Sequence, residues 1–148
     1  MSPPKGIPVD VDLLTGDLTL DEGYRHELYR DTKGKLTIGI GRNLTDVGLS
    51  RDEAAYLLHN DIMNAISDLD AQGKWWRDLP EPQARAMVNL CFNMGMAKLL
   101  TFVTFLDLMS DGKYDEAAAD LMTTAWYREV GQRGPRMVAR LKQKGNTS

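Results

Sequence analysis

Along this 148-residue chain the period of the apolar positions changes several times, and each change marks an element. From Asp10, the spacing Val11, Leu14, Leu18 predicts a helix with Gly16 as a weak point inside it. Gly23 supplies its C-terminal stop and places Glu22 in the last turn. Leu36, Ile38 and Ile40 then alternate with Thr37, Gly39 and Gly41, the period-two signature of a strand with one apolar face. Lys33-Gly-Lys35 reads as a three-residue hairpin loop with Gly34 at positive φ. That register sets Thr32 opposite Leu36 and Asp31 opposite Thr37, with the Cβ atoms of each pair about 5 Å apart, whereas a two-residue loop would shift the pairing by one and separate Asp31 from Thr37. Gly39 and Gly41 would leave the Thr37 face bare.

Beyond the ribbon the pattern is helical. Ser50-Arg-Asp-Glu53 is a capping box, and Ala54, Ala55, Leu58, Ile62, Ile66 and Leu69 continue an apolar stripe to Gly73. Such a helix would span roughly 30 Å. The Trp75-Trp76 pair reads as packing rather than a sugar platform. Pro82 opens a helix that is apolar around almost its whole circumference from Ala84 to Met94, which predicts central burial. Leu99 to Met109 forms another, ended by Asp111-Gly112. One more runs from Asp115 through Leu121, Met122, Ala125 and Trp126, and a final basic helix starts at about Pro135. Residues 1–9 hold three of the six prolines and read as a loose lead-in. The expected fold is α+β, mainly α, in one domain over residues 1–148. Within it, a helix and β-ribbon lobe occupies about 10–50, a linking helix 51–72 and a helical lobe 73–148.

Composition narrows the chemistry. A charged fraction of 26% and a hydrophobic fraction of 43% belong to an ordinary globular chain rather than a disordered or membrane-embedded one. The net charge of −3 argues against nucleic acid as partner. Cys91 stands alone, so no intramolecular disulfide can form, and with only His26 and His59 beside it no zinc-type spacing exists. Neither metal nor cofactor is expected, and both histidines read as structural. The first residues lack a signal-peptide pattern and no stretch has transmembrane length, so synthesis in the cytoplasm with separate delivery is the expectation. Arg128, Arg133, Arg136, Arg140, Lys142 and Lys144 oppose only Glu129 at the C-terminal end. This is foremost a solvated basic helix; the sharper reading is attraction to an anionic polymer such as cell wall. Arg42 and Asp61 are a candidate ion pair.

Two carboxylates and a hydroxyl gathered around a hairpin can cut a glycosidic bond. Glu22, at a helix C-terminus where the dipole disfavours its anion, with apolar Leu18, Leu20 and Tyr24 nearby, suits a general acid. Asp31, nearer water, would stay ionised and activate a water or stabilise charge on the sugar, with Thr37 holding that water or the carboxylate. With 21 acidic residues, a Glu and an Asp nine apart arise readily by chance, and it is the hairpin and the Thr-x-Gly-x-Gly strand that raise the pair above two solvated carboxylates.

The motifs Asp21-Glu-Gly23, Tyr29-x-Asp-Thr-x-Gly34, Leu36-Thr-Ile-Gly-Ile-Gly41, Asn89-x-x-Phe-Asn-Met-Gly95, Asp115-Glu-Ala-Ala118, and Trp126-Tyr127 followed by Arg133 and Arg136 occur in order over roughly residues 17–145. In these the chain resembles the phage-type lysozymes, glycoside hydrolase family 24, the kind known from T-even bacteriophages. The resemblance implies a two-lobed lysozyme-like fold with a cleft between the lobes. It also implies an endo-acting muramidase that hydrolyses the β-1,4 bond from N-acetylmuramic acid to N-acetylglucosamine in peptidoglycan. The family's catalytic Glu, Asp and Thr fall on Glu22, Asp31 and Thr37; Phe92 matches a cleft-lining position and Arg133 an arginine near the catalytic Glu. A monomer acting on peptidoglycan glycan strands is the expectation, and the missing signal-peptide pattern is consistent with release by a separate membrane-permeabilising protein, a holin. Four departures stand out, one being the negative net charge where many wall lysozymes are basic. The segment before the long helix is short, Arg42 replaces a histidine, and Asn93 stands where the family has Gln. Carboxylate separation decides between retention and inversion, and Thr37 beside Asp31, suited to holding a water, leans the expectation to inversion. A lytic transglycosylase, or a non-catalytic wall-binding or virion module of the same fold, is the alternative.

Overall fold

The computed structural model describes residues 6–144, so the first part of the proline-rich lead-in and residues 145–148 lie outside the described residues. The chain divides into two compact units, Met1–Ala55 and Tyr56–Ser148. It is mainly helical with one small antiparallel sheet, an α+β fold.

In the first unit, α1 (Val11–Glu22) starts where the side chain of Asp10 accepts the N–H groups of Asp12 and Leu13. It ends at Gly23, whose φ of +70° only glycine adopts freely and whose N–H donates to Thr19 O at 3.0 Å. None of its residues is buried, and Leu18 and Leu20, with Tyr24 just past its end, all expected to desolvate Glu22, are themselves exposed. Strands β1 (Arg25–Arg30), β2 (Leu36–Gly39) and β3 (Arg42–Asn43) follow in sheet order β1-β2-β3.

The hairpin register differs from the expected one. Tyr29 pairs with Thr37 and Arg30 with Leu36, so the three-residue loop is Thr32-Lys33-Gly34, one position earlier than expected. The cause is the Asp31 side chain. Its Oδ1 accepts the N–H groups of Lys33 at 2.9 Å and Lys35 at 2.8 Å, which closes the loop on Asp31 and leaves Gly34, at φ +78°, as its left-handed last residue. Because pairing partners shift by two, the pleat still returns Asp31 to the Thr37 face, diagonally rather than directly opposite.

The second helix, α2 (Arg51–Gln72), opens on the predicted capping box. Ser50 N–H donates to Glu53 Oε1 at 2.9 Å and Glu53 N–H to Ser50 Oγ at 3.1 Å. Arg42 pairs with Glu53 rather than with Asp61, and this guanidinium, helped by Ser50, holds the Glu53 carboxyl down at about 2.

The second unit carries the hydrophobic core. After a 3-10 turn (Lys74–Asp78) come α3 (Glu81–Met94), α4 (Met96–Leu99), α5 (Val103–Ser110), α6 (Tyr114–Met122), α7 (Ala125–Glu129) and α8 (Arg133–Lys142). Met87, Leu90, Leu99, Phe105, Met109, Leu121 and Leu141 are wholly buried among them. Trp76 joins this core and donates from Nε1 to Asp70 at 3.0 Å, while Arg77 grips the same carboxylate with two bonds of 2.8 Å. Asp70 is thereby held at about 2. The single helix expected from Leu99 to Met109 is two, α4 and α5, and so is that expected from Asp115 to Trp126. The threonines explain the breaks. Thr101 donates to Lys98 O, Thr123 to Asp120 O and Thr124 to Leu121 O, and Thr124 Oγ1 then accepts Tyr127 N–H as the N-cap of α7. The last helix opens at Arg133, which puts Pro135 in its first turn, where a missing N–H costs nothing.

Candidate active site

In the first unit the candidate residues sit at three kinds of joint. Glu22 is the last residue of α1, and its carboxyl lies against the backbone at Gly41, just past β2. A Cβ built on Gly41 would come within 2.9 Å of Glu22 Cδ and Oε2. Gly41 also has φ +70° and Gly39 φ +71°, so β2 ends at Gly39 and the strand face does not continue to Gly41 as the alternation predicted. The second glycine is there to let the chain turn and to make room for the acid.

Asp31 is half-buried at the head of the loop. Oδ1 is engaged by two backbone N–H groups, and among the described residues no donor reaches Oδ2. One oxygen therefore anchors the hairpin while the other is left without a donor. Thr37 is 3% exposed, the only buried residue among the described residues of the first unit. Its hydroxyl donates to Lys35 O at 3.0 Å, not to Asp31. The sheet thus brings Asp31 and Thr37 to one face but links them through Lys35, whose carbonyl also accepts Asp31 N–H at 2.9 Å. Reasoning on the sequence passed over this hub. Lys35 Nζ further binds Asp46 at 3.1 Å and, with Asn43, holds that carboxyl below its usual range. The legible signal was Asp-Thr-Lys-Gly itself, an Asx-turn sequence that calls for its side chain to cap the turn.

In the second unit, Phe92 and Arg133 share a groove of about 480 Å³ with Leu58, Ile62, Ile66 and Val88. Phe92 is 41% exposed, so α3 is not enclosed on all sides as its composition predicted; one face packs into the core and the other walls this groove. Asn93, next along α3, accepts the Nε1–H of buried Trp126 at 2.7 Å and so ties α7 to α3. Burial pushes the Cys91 thiol up, which makes it a poor nucleophile. Among the described residues no three His, Cys, Asp or Glu side chains are placed to hold a metal ion, and no helix is long and apolar enough to cross a membrane.

The sequence is similar to known proteins. The family model described as phage lysozyme matches residues 20–144. Probable T4-type lysozyme 1 of Dictyostelium discoideum is 24% identical over 82% of this chain and 89% of its own length. Probable T4-type lysozyme 2 of the same organism is 26% identical, over 87% and 93%. The pre-baseplate central spike protein Gp5 of Enterobacteria phage T4 is 25% identical over 81% of this chain but only 26% of its own length. With a match over most of its length, and with a helix-end glutamate beside a capped hairpin, the chain belongs to the phage lysozyme family, a family of lysozyme-like peptidoglycan hydrolases.

Proposed function

We propose that the protein is an endo-acting muramidase that hydrolyses the β-1,4 bond between N-acetylmuramic acid and N-acetylglucosamine in peptidoglycan. Glu22 protonates the leaving oxygen, since a carboxyl is the group able to donate at that point. Asp31 acts through Oδ2, activating the attacking water and stabilising positive charge on the sugar. Thr37, fixed through Lys35, positions the ribbon face on which this occurs. Phe92 and Arg133 supply an apolar wall and a cation for a glycan strand. The observation that carries the reading is the division of labour at Asp31, where Oδ1 is spent on the turn and Oδ2 has no donor. The protein works as a monomer on the wall and needs neither metal, cofactor nor nucleic acid.

The test is product analysis of digested sacculi by mass spectrometry, for wild type and Asp31→Asn. Asparagine keeps an acceptor oxygen for the Lys33 and Lys35 N–H groups, so the hairpin should persist. The reading expects hydrated N-acetylmuramic acid ends from wild type and a rate about 10²–10⁴-fold lower from the variant, the usual contribution of a positioned acid or base. Anhydro-sugar ends with full activity in Asp31→Asn would instead establish a lytic transglycosylase. The match to a quarter of a phage spike protein favours a second setting, a wall-cutting module carried on a virion. Recovery of the chain from purified particles would establish that setting, and recovery only from the soluble lysate would exclude it.

A further inference from the structure

Three residues stand abreast across the sheet of the first unit. Tyr29 on β1 is opposite Thr37 on β2, and Thr37 is opposite Asn43 on β3. Opposed residues of antiparallel strands send their side chains to one face, with Cβ atoms about 4.5–5.5 Å apart. This is the face to which Asp31 returns. Thr37, flanked by two larger neighbours that are half-buried, is itself buried. A sugar laid on this face therefore meets Tyr29 or Asn43 before it meets Thr37.

The Asn43 side chain is held in place. Its Oδ1 accepts the Asp46 N–H at 2.9 Å, and its Nδ2 donates to Asp46 Oδ2 at 3.1 Å. Lys35, two positions before Thr37 and so on the same face, brings Nζ to 3.1 Å from that same oxygen. Lys35, with Asn43, keeps the Asp46 carboxyl ionised and therefore an acceptor. A planar amide gripped through both its oxygen and its nitrogen has one hydrogen left, the second on Nδ2. Among the described residues of the first unit that hydrogen has no acceptor. It is thus a donor whose direction is set before any ligand arrives, which lowers the cost of ordering it on binding.

A sugar offers two kinds of acceptor to such a donor. A hydroxyl beside Asp31 is better used donating to the carboxylate. An acetamido carbonyl can only accept, and both sugars of the proposed substrate carry one. We infer that Asn43 is a specificity-determining residue, donating from Nδ2 to the carbonyl of an N-acetyl group on the sugar seated against Asp31 and Thr37. This contact rests on the muramidase reading and lies outside the reacting atoms.

Rates of wild type and Asn43→Ser, compared on intact sacculi and on sacculi stripped of N-acetyl groups by a deacetylase, test it. Serine keeps an oxygen able to accept the Asp46 N–H, so the turn should persist, but it has no amide N–H to offer the sugar. The preference of wild type for the acetylated wall over the stripped one should fall by about 3–10-fold in the variant, the effect of one neutral hydrogen bond. A purely structural role lowers the rate on both walls alike, so an unchanged ratio overturns the assignment. Thermal unfolding checks the fold, and Asn43→Gln, which carries its amide one carbon further out, replaces the serine variant if that fold is lost. New N-acetylmuramic acid reducing ends from wild type on intact sacculi test the muramidase reading separately. Their absence would remove that reading and the Asn43 contact together, whereas their presence with an unchanged ratio would remove the contact alone.

Discussion

Replacing Gly41 by alanine separates the cost of a backbone conformation from the cost of displacing an acid. A methyl at Gly41 would start 2.9 Å from Glu22 Cδ. Ordinary carbon–carbon contact is about 3.5–4.0 Å, so the carboxyl has to retreat by about 0.6–1.1 Å. It is the far end of a flexible side chain and can do so at little cost in stability. The conformational cost is separate: alanine at φ +70° loses about 1–2 kcal/mol relative to glycine, or roughly 2–8 °C in Tm for a chain of this size. Gly39→Ala is the control, since φ is +71° there and nothing lies within 4 Å of its added Cβ. Both variants should therefore show similar losses in urea unfolding. In a turbidity assay on permeabilised Gram-negative cells, normalised to folded protein, Gly41→Ala should lose about 10²-fold, the usual effect of misplacing a catalytic group by about 1 Å. Gly39→Ala should lose little. If the two variants lost activity equally, contact between Gly41 and Glu22 would not be what matters, and the placement of the acid argued above would be wrong.

Two further outcomes follow from the same geometry. A Cβ on Gly134 would meet Tyr127 ring carbons at 2.8–2.9 Å and the Tyr127 carbonyl at 3.1 Å, so Gly134→Ala must push α7 away from α8. A loss of about 1–3 kcal/mol in denaturant unfolding is expected, with lysis per folded molecule little changed; a variant as stable as wild type would contradict the close packing. Asp70 and Glu53 are held at about 2 in the folded protein, below the usual carboxylate value of about 4. A lowered folded pKa gives stability that is complete above about pH 4 and fades as pH falls towards 2. The gap in urea midpoint between wild type and Arg77→Gln should accordingly narrow from pH 6 to pH 2. A constant gap would mean that the Asp70 pair contributes nothing through ionisation.

Local signals carried the sequence reading wherever one residue type has one structural use. Asp10 and Gly23 bound α1, Ser50 and Glu53 cap α2, and Pro82 starts α3, each because its side chain or backbone solves a helix-end problem by itself. Glu22, Asp31 and Thr37 stood out through the hairpin and the glycine-rich strand rather than through spacing, and Gly34 through its turn chemistry. The reading missed wherever the outcome is a competition. Asp31 could belong to the strand or cap the turn, and two backbone hydrogen bonds decided for the cap, moving the register. Thr101, Thr123 and Thr124 sit in apolar periodic runs, and their hydroxyls took carbonyls from the helices. Arg42 could reach more than one acid, and the capping-box glutamate gave it a fixed one. Periodicity alone could not show that Phe92 faces a groove, because an apolar stripe reads the same against a core or an open wall.

Glu22→Gln gives the most direct test, since glutamine fills the same space against Gly41 but has no acidic proton to give. Compared with wild type in the lysis assay, at equal folded concentration, it should be slower by about 10²–10⁴-fold, the range for loss of a general acid. Thermal unfolding should differ little, because Glu22 is exposed and makes no ion pair within the first unit. Equal rates of clearing by the two proteins would remove Glu22 from the reaction, and with it the mechanism built on this site.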